Sequence, residues 1–345
     1  MMALVNIDHN DLTAGFLMMT DKSPFLLLAM MLLSLLLPAA AMADENDDFA
    51  RWLAGFKQEA REKGVSHETL TKAFTGVRPS PRVVKLDRSQ PETVQTFQDY
   101  FEKRVTPYRI NLGRKKYREN RQLLQKIESR FGVQGRFIAA FWGMETSYGR
   151  FSGGHYVIAA LTTLAYDPRR AKFFRKQLMD ALIILEEGHT TVDKMKGSWA
   201  GAMGQTQFMP STFRAYAMDG DGDGKIDIWG SRADAFASAA NYLSSIGWRH
   251  DQTWGREVTL PASFDHSLIK EKVEKSLAEW QALGVRKLYG QDLPRRNLMA
   301  TVVQPDGPGT RAFITYPANY NAILNWNRSH KFAISVGILA DEIVR

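Results

Sequence analysis

The sequence predicts a mainly α protein with a small α+β insertion, and three observations carry that expectation. Apolar residues recur at helical spacing and stop at glycine, as in Phe174, Leu178, Ala181, Leu182 and Leu185 before Gly188. Runs rich in β-formers are confined to residues 251–316, as "EVTLPASF", "LMATVVQP" and "RAFITYP". The chain has 345 residues, 44% hydrophobic and 24% charged, which is an ordinary globular composition with length enough for a sizeable core.

The first element is not part of that fold. Phe25 to Leu37 (FLLLAMMLLSLLL) is an apolar run preceded by Lys22 and followed by Pro38 and Ala41-Met42-Ala43. This pattern predicts a signal peptide over residues 1–43 and a mature chain from Asp44. The alternative, a retained anchor over Phe25–Ala43, has just the length to span a tilted bilayer. The chain has no cysteine, so it has no disulfide to form on export and no thiol for a lipid anchor. The processed protein is therefore expected to be soluble and to meet membranes only peripherally. Losing residues 1–43 removes one lysine and three aspartates, which moves the net charge from +8 to +10. The basic residues form no block, so an exported polyanion is a better partner than nucleic acid.

Helices follow. Phe49, Trp52, Leu53, Phe56 and Ala60 share one stripe closed by Gly64, and Ser66 reads as the N-cap of a helix reaching Phe74. The proline-punctuated stretch 78–92 reads as an extended connection. Helical periodicity resumes over 94–130, broken near Pro107, and residues 44–112 are taken as an N-terminal helical subdomain. Residues 113–250 form the most strongly patterned part. They contain the 174–188 helix and a second with Phe236, Ala239, Ala240, Leu243 and Ile246 before Gly247. The insertion, 251–316, should hold its strands around one helix near 267–283. A closing segment, 317–345, returns to the core with a helix over 331–344.

Within the patterned part, "FWGMETSYGR" (141–150) places Glu145 at the end of an apolar run. On a helix, Phe137, Phe141 and Glu145 lie on one stripe bordered by Ile138 and Trp142. Burial there disfavours the charged carboxylate. Glu145 is thus either paired with Arg136 or Arg150, or kept protonated for proton transfer. No other acid occurs before Asp167, so a glycosidase-like carboxylate pair is not evident nearby.

A second motif, "DGDGDGKIDIW" (219–229), follows the first nine positions of an EF-hand loop. Asp219, Asp221 and Asp223 take positions 1, 3 and 5, Gly224 the sharp turn, Lys225 the carbonyl position and Asp227 position 9. Position 12 is Gly230 instead of glutamate, and Asp234, four residues further on, is the candidate ligand that would reach back if the loop is longer than usual. Three close aspartates repel unless a cation sits between them, which predicts structural Ca2+. No motif calls for an organic cofactor.

These blocks, with "GSWAGAMGQTQFMPSTF" (197–213), "NYLSSIGW" and "NYNAILNWNRSHKFAISV", occur in an order that resembles the lytic murein transglycosylase B family over nearly the whole mature chain. The resemblance implies a lysozyme-like helical core, a periplasmic enzyme, and cleavage of peptidoglycan glycan strands to 1,6-anhydromuramoyl ends. Glu145 matches the family's catalytic acid and base. Ser198 and Gln207 match residues lining the saccharide cleft, Tyr242 stands beside the glutamate, and Trp326 and Asn327 complete the set. The family usually has tyrosine where this chain has Trp326, and often where it has Phe332, so roles of those phenolic oxygens do not transfer. Rival expectations are a hydrolytic muramidase on the same fold and a calcium-dependent glycan-binding protein in which Glu145 is only structural.

Overall fold

The computed structural model describes residues 47–89, 95–270 and 272–345. The signal segment 1–43 lies outside them, as does the end of the 78–92 connection. Residues 47–62 are helical. In the first compact unit, which ends at Phe56, the ring of Trp52 stacks between Phe49 and Phe56 at 6.0 and 5.6 Å.

The second unit, Lys57–Arg345, holds the rest. Ser66 caps helix His67–Phe74 through Thr69 N, as expected. The 78–92 stretch differs from expectation: Pro81–Arg88 is a helix, with Ser80 accepting from Val83 N. Ser-Pro here is a start signal, because proline's missing N–H costs nothing in the first turn. Pro107 acts the same way. It opens helix Pro107–Glu119 behind the Thr106 cap and separates it from Phe97–Arg104.

The helix Gly135–Thr146 sits at the centre. It packs against Pro107–Glu119, Arg121–Phe131, Arg232–Ser245 and His330–Ile343. All its residues except Arg136 and Glu145 are buried, which fits a segment apolar on every side. Small residues let the neighbours in: a Cβ on Gly135 would lie 2.9 Å from Leu124 Cβ, and one on Gly143 2.6 Å from the Tyr148 ring. The core around it includes Phe137, Phe141, Phe236, Ile323, Phe332 and Leu339.

The β-rich runs form one five-stranded antiparallel sheet. Its order is Lys275–Ser276, Met299–Val303, Ala312–Thr315, Gly255–Thr259, Arg286–Lys287. It has its own apolar core around Trp280, whose Nε1 donates to Ala300 O at 2.8 Å. The single helix expected over 267–283 is instead two short ones, Ser267–Lys270 and Leu277–Ala282, split by an edge strand. A capping box between Ser276 and Glu279 restarts the second. The closing segment carries a helix that periodicity did not show, Pro317–Trp326, ahead of His330–Ile343. Among the described residues no helix is long and apolar enough to cross a membrane.

Candidate active site

Glu145 occupies the last turn of the central helix and is half-buried, so the fully buried stripe stops one turn before it. The chain then turns through left-handed Ser147, Tyr148 and Gly149 (φ 50°, 63° and 78°). Such conformations cost roughly 1–2 kcal/mol at a non-glycine residue, and local bonds offset the cost. Tyr148 is only 3% exposed and its Oη donates to Arg109 O at 3.0 Å. Burial pushes that phenol well above its usual range, so it stays a neutral donor. The Arg109 guanidinium donates to Ser147 Oγ at 3.1 Å. Thr146 Oγ1 accepts from Gly149 N at 3.0 Å and donates to Gln205 O at 2.8 Å. That last bond ties the Glu145 turn to the glycine-rich segment.

A two-stranded ribbon makes the second link. His155–Tyr156 pairs antiparallel with Lys196–Gly197. Gly153, at φ 98°, approaches so closely that a Cβ would stand 2.1 Å from Gly197 O. Gln207, left-handed at φ 53°, donates from Nε2 to Ser152 O and Gly204 O, both at 3.0 Å. Ser198 Oγ accepts from Ala202 N at 3.1 Å and Ala200 N at 3.3 Å. Both side chains therefore shape the loop. Among the described residues, Gln207 Oε1 and the Ser198 hydroxyl hydrogen remain without partners.

Aromatic rings supply the third wall. Trp326 Nε1 donates to Glu145 Oε1 at 2.9 Å. The indole packs on Phe141 at 4.4 Å, Phe208 at 5.3 Å and, nearly perpendicular, Tyr242 at 5.3 Å. Tyr216 meets Tyr242 edge-on at 4.9 Å. Burial first, and then Tyr216, push the Tyr242 phenol up, so it stays protonated. The indole N–H of Trp326 thus supplies a donor to the Glu145 carboxyl. Asn327 ends that helix and turns its Oδ1 to Ser329 N at 3.1 Å. Arg136 binds Asp341 at 2.5 Å and Thr253 at 3.1 Å, while Arg150 donates to Tyr108.

In the acidic loop, carboxylate oxygens of Asp219, Asp221 and Asp223 lie within 4.8 Å of one another. Gly222 and Gly224 turn at φ 83° and 87°, and their amides donate to Asp219 at 2.6 and 2.9 Å. Those amides hold its carboxyl below the usual range. Lys225 N donates to Asp223 at 2.8 Å, and Ser231 Oγ to Asp221 at 2.8 Å. Asp227 Oδ1 accepts from Trp229 and Gly230 amides. A Cβ on Gly230 would lie 2.5 Å from Asp227 Oδ2, so the Asp227 carboxylate occupies the space beside position 12. Asp234 is buried and closes the loop by accepting from Gly220 N at 2.8 Å and Asp227 N at 2.6 Å. Burial pushes its carboxyl up. The trio of hard oxygen donors fits a calcium-like cation. Asp227 and Asp234 brace the loop through its backbone.

The family model for the transglycosylase SLT domain matches residues 48–341. The chain belongs to this family. It is 32% identical over 251 residues to membrane-bound lytic murein transglycosylase B of Escherichia coli (strain K12), spanning 71% of this chain and 66% of that relative. SltB3 from Pseudomonas aeruginosa, solved in complex with NAG-anhNAM-pentapeptide, is 44% identical with a TM-score of 0.83, over 86% of this chain and 79% of that one. The Escherichia coli lytic transglycosylase Slt35, solved in complex with calcium, is 26% identical with a TM-score of 0.72, over 86% and 92%.

Two parts of this SLT-domain site were missed by sequence reasoning. Phe208 lies inside the quoted glycine-rich block, where its ring was a usable signal. Tyr216 had none, since its contact with Tyr242 is purely tertiary. The predicted residues Glu145, Tyr242 and Trp326 form one contact cluster. Ser198 and Gln207 join the Glu145 turn through the ribbon, and Asn327 is engaged with its own turn.

Proposed function

We propose that the chain is a peptidoglycan lytic transglycosylase, cleaving the MurNAc–GlcNAc β-1,4 bond without water and leaving a 1,6-anhydromuramoyl end. The observation that carries this is Glu145: a half-buried carboxyl at the end of an apolar helix, held by an indole N–H beside a ring-lined wall. Protonated, it gives its proton to the glycosidic oxygen as the C1–O bond breaks. As a carboxylate, it then takes the proton from the muramoyl 6-hydroxyl while O6 bonds to C1. The Trp326 N–H, donating to Oε1, holds the carboxyl in place through both steps. Use of one carboxyl group is supported by the next acid in the chain. Asp167 is committed to Arg88 at 2.9 Å and to Arg169 N at 3.0 Å. Ser198, Gln207, Tyr242 and Asn327 would seat the sugars. Mass spectrometry of digested sacculi tests the assignment: anhydro ends are expected, reducing ends would mean a hydrolytic muramidase, and intact strands a binding protein.

Asp219, Asp221 and Asp223 would hold Ca2+, with the Lys225 carbonyl as a further oxygen ligand, water filling the rest of the shell, and Asp227 and Asp234 supporting the loop. The ion's contribution is to neutralise the trio and stiffen the loop. Adding calcium should raise the melting temperature by mass action, saturating at roughly submillimolar to millimolar levels. Asp221→Ala should abolish the rise without harming the calcium-free protein. Identical melting curves in calcium and in chelator would remove the metal from this loop. The chain is placed in the periplasm on the strength of its apolar N-terminal segment and small-residue exit, and an intact mass starting at Asp44 is the corresponding check.

A further inference from the structure

Beyond the ribbon lies a groove of about 770 Å³ that none of the roles above uses. Its floor is Ile158 and Ala159, and Val77 and Val192 wall it. Tyr156 stands at its edge, 50% exposed, with the Lys196 ammonium 5.2 Å from its ring centre. Two charges of opposite sign enter from different loops. Arg78 is exposed and, among the described residues, has no ion pair or hydrogen bond. Asp193 accepts from Thr191 Oγ1 at 2.5 Å, which holds its carboxyl below the usual range and so ionised. Lys72, also in the lining, is already paired with Glu68 at 2.6 Å.

We propose that this groove binds the stem peptide of peptidoglycan, an inference that rests on the lytic transglycosylase assignment. A glycan stripped of peptide offers no amine for Asp193, and its only carboxylate is the lactyl group held at the muramoyl ring. A stem peptide offers an amine and carboxylates further along its length, together with alanine methyls suited to the apolar floor. The groove adjoins the ribbon: Tyr156 at its edge pairs with Lys196, and Ser198 directly follows the strand Lys196–Gly197. An extended peptide of three to four residues spans about 10–14 Å. The ribbon that joins the Glu145 turn to the glycine-rich loop on one side thus borders a peptide channel on the other.

The test uses the full mature protein, with strands that carry peptides and strands stripped by an amidase. Arg78→Ala should lower kcat/KM on peptide-bearing strands by about tenfold, because hydrogen bonds to charged groups are among the stronger ones. Rates on stripped strands should not move. Equal losses on both substrates, or no loss on either, would overturn the proposal. In parallel, Glu145→Gln protein should bind NAG-NAM-pentapeptide more tightly than NAG-NAM without peptide, and adding Arg78→Ala should erase the difference. If the unmutated protein cleaves neither substrate, the transglycosylase assignment fails, and this binding comparison decides the groove by itself.

Discussion

Glu145→Gln should cut turnover on sacculi by about 10²–10⁴-fold, the range typical of a placed proton donor, while the melting curve stays where it was. Glutamine keeps the shape and can still accept from Trp326 Nε1 through its carbonyl oxygen, so the aromatic wall is retained. What is lost is a proton that can leave and return. Trp326→Phe should have a smaller effect, about tenfold, because one donor to the carboxylate disappears while the ring packing on Phe141, Phe208 and Tyr242 largely survives. The two variants separate chemistry from orientation. Near-normal turnover in folded Glu145→Gln protein would remove this residue from the acid role, whatever Trp326→Phe does.

The helical frame was legible because its signals are local. Helices Ala171–Glu186 and Arg232–Ser245 show their apolar stripes and their terminal glycines within a few residues. Pro81–Arg88 was lost because proline was weighed as punctuation, when the serine before it made it a first-turn residue. Pro317–Trp326 was lost because its buried face is interrupted by the polar Asn319, which is bonded to the backbone of Arg249 and Gln252. Its apolar pattern is set by packing. The site divides in the same way. Glu145 stood out by its place on a stripe, but its bond to Trp326 crosses 181 positions and leaves no local trace. Only the resemblance between blocks brought the two together beforehand. The tight backbone contact between Gly153 and Gly197 was equally invisible, since glycine in sequence does not say what it approaches.

That contact makes the last prediction. Gly153→Ala should cost about 1–3 kcal/mol of stability and lower turnover by at least about tenfold. At φ 98° an alanine is strained before any neighbour is considered. Its Cβ would then meet Gly197 O at 2.1 Å and Gly197 C at 2.2 Å, backbone atoms that cannot swing aside as a side-chain end would. The ribbon must open, and with it the bond from Gln207 Nε2 to Ser152 O that holds the glycine-rich loop against the Glu145 turn. Displacements of about 1 Å are enough to cost rate where a proton must be handed between fixed atoms. Gly154 is the control, because a Cβ there meets nothing within 4 Å. Gly154→Ala should keep the melting temperature and the turnover of the unmutated protein. If the two variants prove alike in both measurements, the ribbon contact does not position the site.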